Sequence, residues 1–81
     1  MLPSSLNSFL LRALRAKPVM TQIEIVQAAL DVFRDEILVS DVLAQLRGLD
    51  ADGFATRNDD KITGVTWALT DAGAHKAKQL R

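Results

Sequence analysis

Residues that usually carry catalysis or bind metals are sparse in this sequence. The chain has 81 residues, no cysteine and a single histidine, His75, in a basic C-terminal segment. A histidine base needs a nucleophile and an orienting carboxylate, and no spacing here supplies them. Asn58, Asp59 and Asp60 bring oxygen ligands together, but the further ligands and final glutamate of a calcium loop are missing. We therefore expect no enzyme, no metal site and no cofactor.

A few polar residues in the second half of the chain offer a different chemistry, contact with nucleic acid. Gln45 and Arg47 have side chains that can reach base edges and phosphates. Arg57, Asn58 and Lys61 follow further along and add two cations and an amide. Whether these groups share one surface depends on the elements that carry them.

Charge is balanced overall but unevenly distributed. Ten basic and ten acidic side chains give a formal net charge of zero. Most small nucleic-acid modules are basic, because neutralisation of phosphates drives their affinity. Acidic residues dominate positions 31–60, and the segments on either side are mildly basic. This distribution argues against a strong DNA binder.

Size and composition limit the class of protein. A hydrophobic content of 48% and a charged content of 25% are typical of a folded globular protein, and residues 1–81 suffice for one domain with a modest core. No apolar run is long enough to span a membrane, and the lack of cysteine fits a cytoplasmic location. Residues 1–18 also resemble a mitochondrial presequence. We favour a first helix instead, because its removal would leave a very small core.

Hydrophobic periodicity predicts four helices. They are expected at Ser5–Ala16, Gln22–Arg34, Asp41–Asp52 and Asp71–Leu80. A start nearer Asp35 remains open for the third helix.

Several residues have the types and positions of helix caps. Thr21 and Glu24 have the spacing of a capping box at the second helix. Ser40 and Thr70 are the expected N-caps of the third and fourth helices, and Gly53 is expected to end the third.

The apolar stripes of these elements predict the core. In the second helix, the row Ile23, Val26, Leu30 and Phe33 marks the expected buried face. Ile25, Ala29 and Val32 form a second apolar row, so this helix is expected to pack on two sides. The residues expected to be mostly buried are Leu10, Leu14, Val26, Leu30, Leu46, Leu49, Phe54, Trp67 and Leu69.

The segment between the third and fourth helices predicts a β-hairpin. Phe54–Arg57 and Val65–Thr70 are the expected strands, and residues 58–61 are the expected turn. Gly64 is expected at a bulge or at the edge of a longer loop. Val19 and Met20 are expected to be an extended link between the first two helices.

From Thr21 to Gly73 the chain resembles the winged-helix domain of bacterial transcription regulators, the MarR type among them. Three segments carry the resemblance. Val39-Ser40 resembles the start of the family's recognition helix, and Leu49 followed by residues 53–57 (GFATR) resembles the exit from that helix into the wing. Residues 69–73 (LTDAG) resemble the exit from the wing into a helix. The resemblance implies a mainly α fold with a small hairpin wing.

The third helix departs from a typical DNA-reading helix. Opposite its apolar stripe, a period of 3.6 residues places Asp41, Ala44, Gly48 and Ala51, with Gln45 on one flank and Arg47 on the other. A glycine within a helix costs up to about 1 kcal/mol relative to alanine. Gly48 therefore has two interpretations. It is either a tolerated substitution on a solvent face or a site of tight internal packing, or it marks a point where a DNA groove or another helix approaches closely.

The resemblance implies a small DNA-binding transcription regulator whose third helix enters the major groove of double-stranded DNA. The residues expected at the interface are Ser40, Ala44, Gln45, Arg47, Gly48, Arg57, Asn58 and Lys61. The alternative is a winged-helix interaction module whose third helix docks a protein partner. A homodimer through the first or last helix is also expected, because apolar residues remain there at Leu2, Leu11, Ala72 and Leu80.

Overall fold

Helices and a small antiparallel sheet make up this computed structural model, which describes residues 5–80. The helices are α1 (Ser5–Ala16), α2 (Gln22–Phe33), α3 (Val39–Ala51) and α4 (Asp71–Gln79). The strands are β1 (Val19–Thr21), β2 (Ala55–Asp60) and β3 (Gly64–Leu69), and a 3-10 turn at Arg34–Glu36 joins α2 to α3. The architecture confirms the mainly α winged-helix fold expected from the sequence.

The sheet has the strand order β1-β3-β2, and both pairings are antiparallel. In the register, Trp67 of β3 stands opposite Met20 of β1 and Arg57 of β2. The expectation that Val19 and Met20 form only a link was wrong, because they pair with the free edge of β3. A strand of three residues is too short to show an alternating pattern, and its partner is distant in the chain.

Most of the core agrees with the apolar stripes. Leu10, Leu14, Leu46, Leu49 and Trp67 are buried as expected. The other four expected core residues are only half-buried, although they pack against the core: Val26, Leu30, Phe54 and Leu69.

In α2 both apolar rows pack against the core, as expected, but the first row does so only in part: Val26, Leu30 and Phe33 are half-buried there. Ile25 and Ala29 are fully buried, whereas Ile23 is 81% exposed. Val32, in the row of Ile25 and Ala29, is also largely exposed. Both rows of α2 are apolar, so helical periodicity alone could not decide between them. The choice comes from the neighbouring α1, α3 and sheet, which all contact this helix.

One helix start and three helix ends differ from the sequence predictions, and the end of α3 is at Ala51 instead of Asp52. α3 begins at Val39 rather than Asp41, because the Asp41 carboxylate accepts the Leu38 backbone N–H at 2.8 Å and stabilises the first turn from inside. Ser40 therefore lies within the helix and is not its N-cap. α2 ends at Phe33, because Arg34 adopts a positive φ of 53°. α4 ends at Gln79, one residue earlier than expected.

The wing is also longer than predicted. Strand β2 starts one residue later, at Ala55, and continues through Asn58 to Asp60, so the turn moves from residues 58–61 to residues 61–63. Gly64 pairs directly with Asp60, with a φ of 84°, and belongs to β3 instead of forming a bulge. The prediction from residue types placed the turn too early. The polar residues 58–60 remain in β2, because their backbone pairs with β3 as far as Gly64.

The C-terminus of α3 is closed by a Schellman motif. Gly53 has a φ of 81°, as expected for a glycine after a helix. Its N–H donates to the Asp50 carbonyl at 3.0 Å, and the Phe54 N–H donates to the Leu49 carbonyl at 2.8 Å. These bonds turn the chain sharply from α3 toward the wing.

The same corner is fastened to the start of α4 by four residues that we call the clasp: Gly53, Phe54, Thr70 and Gly73. The Thr70 hydroxyl donates to the Gly53 carbonyl at 2.6 Å and accepts the Gly73 N–H at 3.0 Å. The Thr70 N–H donates to the Phe54 carbonyl at 3.0 Å. A Cβ atom on Gly73 would collide with the Phe54 carbonyl oxygen. The clasp therefore requires glycine at position 73.

We predict that Gly73→Ala lowers the free energy of unfolding by about 3 kcal/mol, because backbone must move to admit the new methyl group. Urea denaturation followed by the fluorescence of Trp67 measures this change. The matched control is Gly48→Ala, where no atom lies within 4 Å of an added Cβ. That variant should gain up to about 1 kcal/mol from helix propensity. Equal effects of the two substitutions would contradict the clasp.

Candidate nucleic-acid interface

Helix α3 turns a row of small residues toward solvent. Ser40, Ala44, Gly48 and Ala51 are all exposed. A Cβ built on Gly48 would meet no heavy atom within 4 Å, so internal packing does not explain this glycine. Of the face expected opposite the buried Val42, Leu46 and Leu49, three residues are exposed as predicted, and Asp41 is half-buried. The face leaves room for another molecule to approach the helix backbone.

Arg47 and Arg57 meet beside this row in a shallow pocket. The pocket is also lined by Gln22, Leu43 and Trp67. Arg57 stands opposite Trp67 in the sheet register, and the Trp67 Nε1–H donates to Gln22 Oε1 at 3.1 Å. Two guanidinium groups, one from α3 and one from the wing, thus line one pocket that contains no carboxylate.

The two arginines differ in their ion pairs. Arg57 lies 3.7 Å from the Asp59 carboxylate, and both side chains are well exposed. Arg47 makes no salt bridge to any residue within positions 5–80. An exposed ion pair of this length contributes little to the stability of the fold, so another anion can readily replace the Asp59 carboxylate at Arg57. Both guanidinium groups can therefore donate hydrogen bonds to an incoming phosphate.

Gln45 does not join this group. It is half-buried on the flank that faces α1, and its Oε1 accepts a hydrogen bond from Asn7 Nδ2 at 3.4 Å. Arg47 lies on the other flank, as the helical period predicted. Among the expected site residues, the structure brings Arg47 and Arg57 together, leaves Ser40, Ala44 and Gly48 beside them, and turns Gln45 toward the helical core.

Asn58 and Lys61 lie on the exposed wing, and two acidic residues accompany them. Asp59 is part of β2, and Asp60 closes the wing tip. The Asp60 carboxylate accepts the backbone N–H groups of Ile62 at 2.7 Å and Thr63 at 3.2 Å. These two hydrogen bonds lower the pKa of Asp60 below its ordinary value. The wing thus presents cations and anions side by side.

A feature that sequence reasoning missed is an apolar surface at the start of α3. Leu38 is 67% exposed and Val39 is 47% exposed, and the exposed Ile23 of α2 lies near them. With Val26, Leu30 and Leu43, Ile23 and Val39 line an open groove between α2 and α3. The signal in the sequence was the apolar pair Leu38-Val39 directly before Ser40.

His75 is exposed on α4, and its Nε2 lies 3.2 Å from Gln79 Nε2. Within residues 5–80, no three histidine, aspartate or glutamate side chains cluster as a metal site. None of the described helices combines the length and the apolar character needed to cross a membrane.

The apolar residues expected to join two subunits are largely used within the chain. Leu11 is fully buried in the contact of α1 with α4, and Leu80 is half-buried against the core. Ala72 is exposed, and Leu2 lies outside the described residues. The assignment of Leu11 to a dimer contact was therefore wrong.

Comparison with known proteins supports the fold. Solved structures of variants of Lactococcus lactis ZitR superpose on this chain. One variant in apo form gives a TM-score of 0.75 at 19% identity, over 94% of this chain and 54% of that chain. A second gives 0.75 at 18% identity, over 98% of this chain and 51% of that chain. This chain thus spans about half the length of these structures. No family model and no curated protein matches the sequence.

The hydrogen bonds at the wing tip should depend on pH. Because the pKa of Asp60 is lowered by folding, its contribution to stability is present above the ordinary value of 3.8 and is lost as the pH falls through the folded pKa. We predict that the amide chemical shifts of Ile62 and Thr63 titrate together, with a midpoint below 3.8. In Asp60→Asn, which keeps the acceptor oxygen, this titration should disappear. A midpoint at or above the ordinary value would contradict the prediction.

Proposed function

We propose that this chain is a DNA-binding domain of a transcription regulator, of the winged-helix type that its sequence resembles. One observation carries the proposal: the small exposed face of α3 lies beside Arg47 and Arg57, on a fold shared with ZitR. In helix-turn-helix proteins the second helix of the motif lies in the major groove. Here that helix is α3, and the wing follows the adjacent backbone.

The small residues of α3 and the nearby cations have different roles in this complex. Ser40, Ala44 and Gly48 carry little side-chain bulk, so the helix can enter deeply into the groove. Arg47 and Arg57 bind phosphates from the two sides of their pocket, while Asn58 and Lys61 contact the backbone from the wing. These contacts position the domain on the duplex and add affinity that is independent of sequence.

Acidic residues limit this affinity. Asp59 and Asp60 stand beside Arg57 and Lys61 on the wing, and exposed Asp50 and Asp52 lie near the end of α3. Their repulsion of phosphates opposes the attraction of the few cations, consistent with the zero net charge of the chain. We therefore expect the isolated domain to bind DNA weakly and to gain affinity from dimerisation or from further contacts.

Gln45 stands apart from the other proposed contacts, because it faces α1 and accepts a hydrogen bond from Asn7. Its amide reaches DNA only where the groove wraps around α3 beyond the row of small residues. Under the proposal, Gln45→Ala weakens binding at preferred sequences and leaves binding to other duplexes unchanged.

A protein-docking module is the second candidate function. The observation that favours it is the exposed apolar surface formed by Ile23, Leu38 and Val39, because protein interfaces have apolar centres. In that case α3 docks a protein segment and DNA affinity is negligible. Gly48→Leu would then block the partner by its bulk while the fold survives, since position 48 is open to solvent.

Assembly and location belong to the same proposal. Two-fold symmetric DNA sites favour a homodimer, with α1 or α4 as the contact, and the exposed Ala72 is the apolar residue of α4 still available for it. A DNA-binding regulator without cysteine fits a cytoplasmic location.

We predict a shallow dependence of DNA affinity on salt. Each phosphate contact adds about 0.9 to the slope of log affinity against log salt, so Arg47, Arg57 and Lys61 give a total of roughly three per protomer at most. Fluorescence anisotropy with a labelled duplex at several salt concentrations measures this slope.

The acidic and basic residues of the wing should have opposite effects in the same assay. Arg57→Ala with Lys61→Ala should weaken binding to all sequences, and Asp59→Asn with Asp60→Asn should strengthen it. The matched control is Lys78→Ala on α4, which removes a cation outside the interface and should have little effect. If neither the wild type nor the Asp59→Asn/Asp60→Asn variant binds duplex DNA at low salt, the DNA-binding function is refuted.

A further inference from the structure

Three exposed apolar residues and the half-buried Leu43 form a surface that we call the apolar end: Leu38, Val39 and Leu43 of the α3 region and Ile23 of α2. Ile23 is 81% exposed, Leu38 67% and Val39 47%, although the chain buries other large apolar residues completely. Apolar residues gathered at one exposed place usually mark a binding surface. No contact within residues 5–80 covers these side chains.

The position of the apolar end within the motif is informative. In a helix-turn-helix domain, the N-terminal residues of the helix in the major groove contact the edges of the bases. In α3 these residues are Leu38, at the cap position, then Val39 and Ser40, with Leu43 and Ala44 one turn later. The only side chain among them that can form a hydrogen bond is the hydroxyl of Ser40.

Hydrogen-bond reading of bases is therefore scarce at this end of α3. Asp41, in the same turn, is occupied by the backbone N–H of Leu38 and would repel phosphates. Gln22 and Gln27 line the groove beside Ile23 and Val39, but both belong to α2, and Gln22 Oε1 accepts the Trp67 indole N–H. On α3 itself, the nearest long cationic side chain is Arg47, which lines the pocket with Arg57. The side chains that would meet the base edges are thus aliphatic.

One apolar group is displayed by base pairs in the major groove, the C5-methyl group of thymine. Aliphatic side chains recognise it by direct contact. Leu43 connects this chemistry to the cations, because it lines both the apolar groove and the pocket of Arg47 and Arg57. A ligand that fits this surface must present methyl groups to the apolar groove and negative charges to Arg47 and Arg57. A DNA duplex presents both.

We propose that α3 recognises thymine methyl groups in the major groove through Leu38 and Val39, with Ile23 of α2 closing the side of the contact. The inference rests on the proposed DNA-binding function and adds the class of sequence that the domain prefers. The preferred sites contain A·T pairs at the positions that face the start of α3. Arg47 and Arg57 hold the phosphates beside these pairs.

The experiment compares two duplexes that differ only in the methyl groups. One is an alternating adenine–thymine duplex about two helical turns long, and the other has deoxyuridine in place of every thymidine. Deoxyuridine keeps all the hydrogen-bonding groups of thymidine and lacks the C5-methyl group. We expect the wild-type chain to bind the deoxyuridine duplex at least about fourfold more weakly, the value for one buried methyl group.

Two variants separate direct contact from differences in DNA shape. In Leu38→Ala with Val39→Ala, the ratio of the affinities for the thymidine and deoxyuridine duplexes should fall to about one. Both positions are exposed, so the fold should survive, and thermal unfolding checks this. The matched control is Ile62→Ala, which removes a 94% exposed aliphatic side chain at the wing tip and should keep the full preference.

The possible failures are distinguishable. Equal binding of the two duplexes by the wild type, or a preference for thymidine that persists in the Leu38→Ala/Val39→Ala variant, overturns this inference and leaves the DNA-binding function standing. No binding of either duplex at low salt overturns both. The apolar end would then belong to a protein segment.

Discussion

The close approach of Gly73 to the Phe54 carbonyl is the constraint on which the arrangement of this domain depends. The contact leaves no room for a side chain at position 73. The Thr70 hydroxyl links the glycine that ends α3, Gly53, to Gly73 in the first turn of α4. Because this corner lies where α3 ends and where the wing returns to α4, it sets the angle between α3 and the wing. The pocket between Arg47 and Arg57 exists only while that angle is kept.

Trp67 provides the second support for this pocket. Across the sheet it lies in one row with Met20 and Arg57, so the buried core passes directly into the cationic pocket. Its indole N–H is held by Gln22 at the start of α2, which links the wing to the helix whose exposed Ile23 borders the apolar end. The wing, α2 and α3 therefore meet at a single buried tryptophan, and the groups that contact a ligand are anchored to the core.

The surface chemistry divides into three kinds of group, each with its own place. Arginines line the pocket, small residues cover the middle of α3, and aliphatic residues lie at its start. Carboxylates on the wing offset part of the positive charge. Such a surface favours recognition by shape and apolar contact over a dense set of hydrogen bonds. A winged helix of this kind needs no excess of basic over acidic residues, in keeping with the net charge of zero.

The sequence by itself determined the features that depend on local chemistry. Capping at Thr21 and Thr70, the glycine end of α3 and the outward row of Ala44, Gly48 and Ala51 follow from residue type and helical period. Only the tertiary structure decided which apolar row of α2 is buried, that Val19 and Met20 form a strand, and that Arg47 meets Arg57 while Gln45 turns to Asn7. These outcomes depend on neighbours distant in the chain, which a local period cannot show.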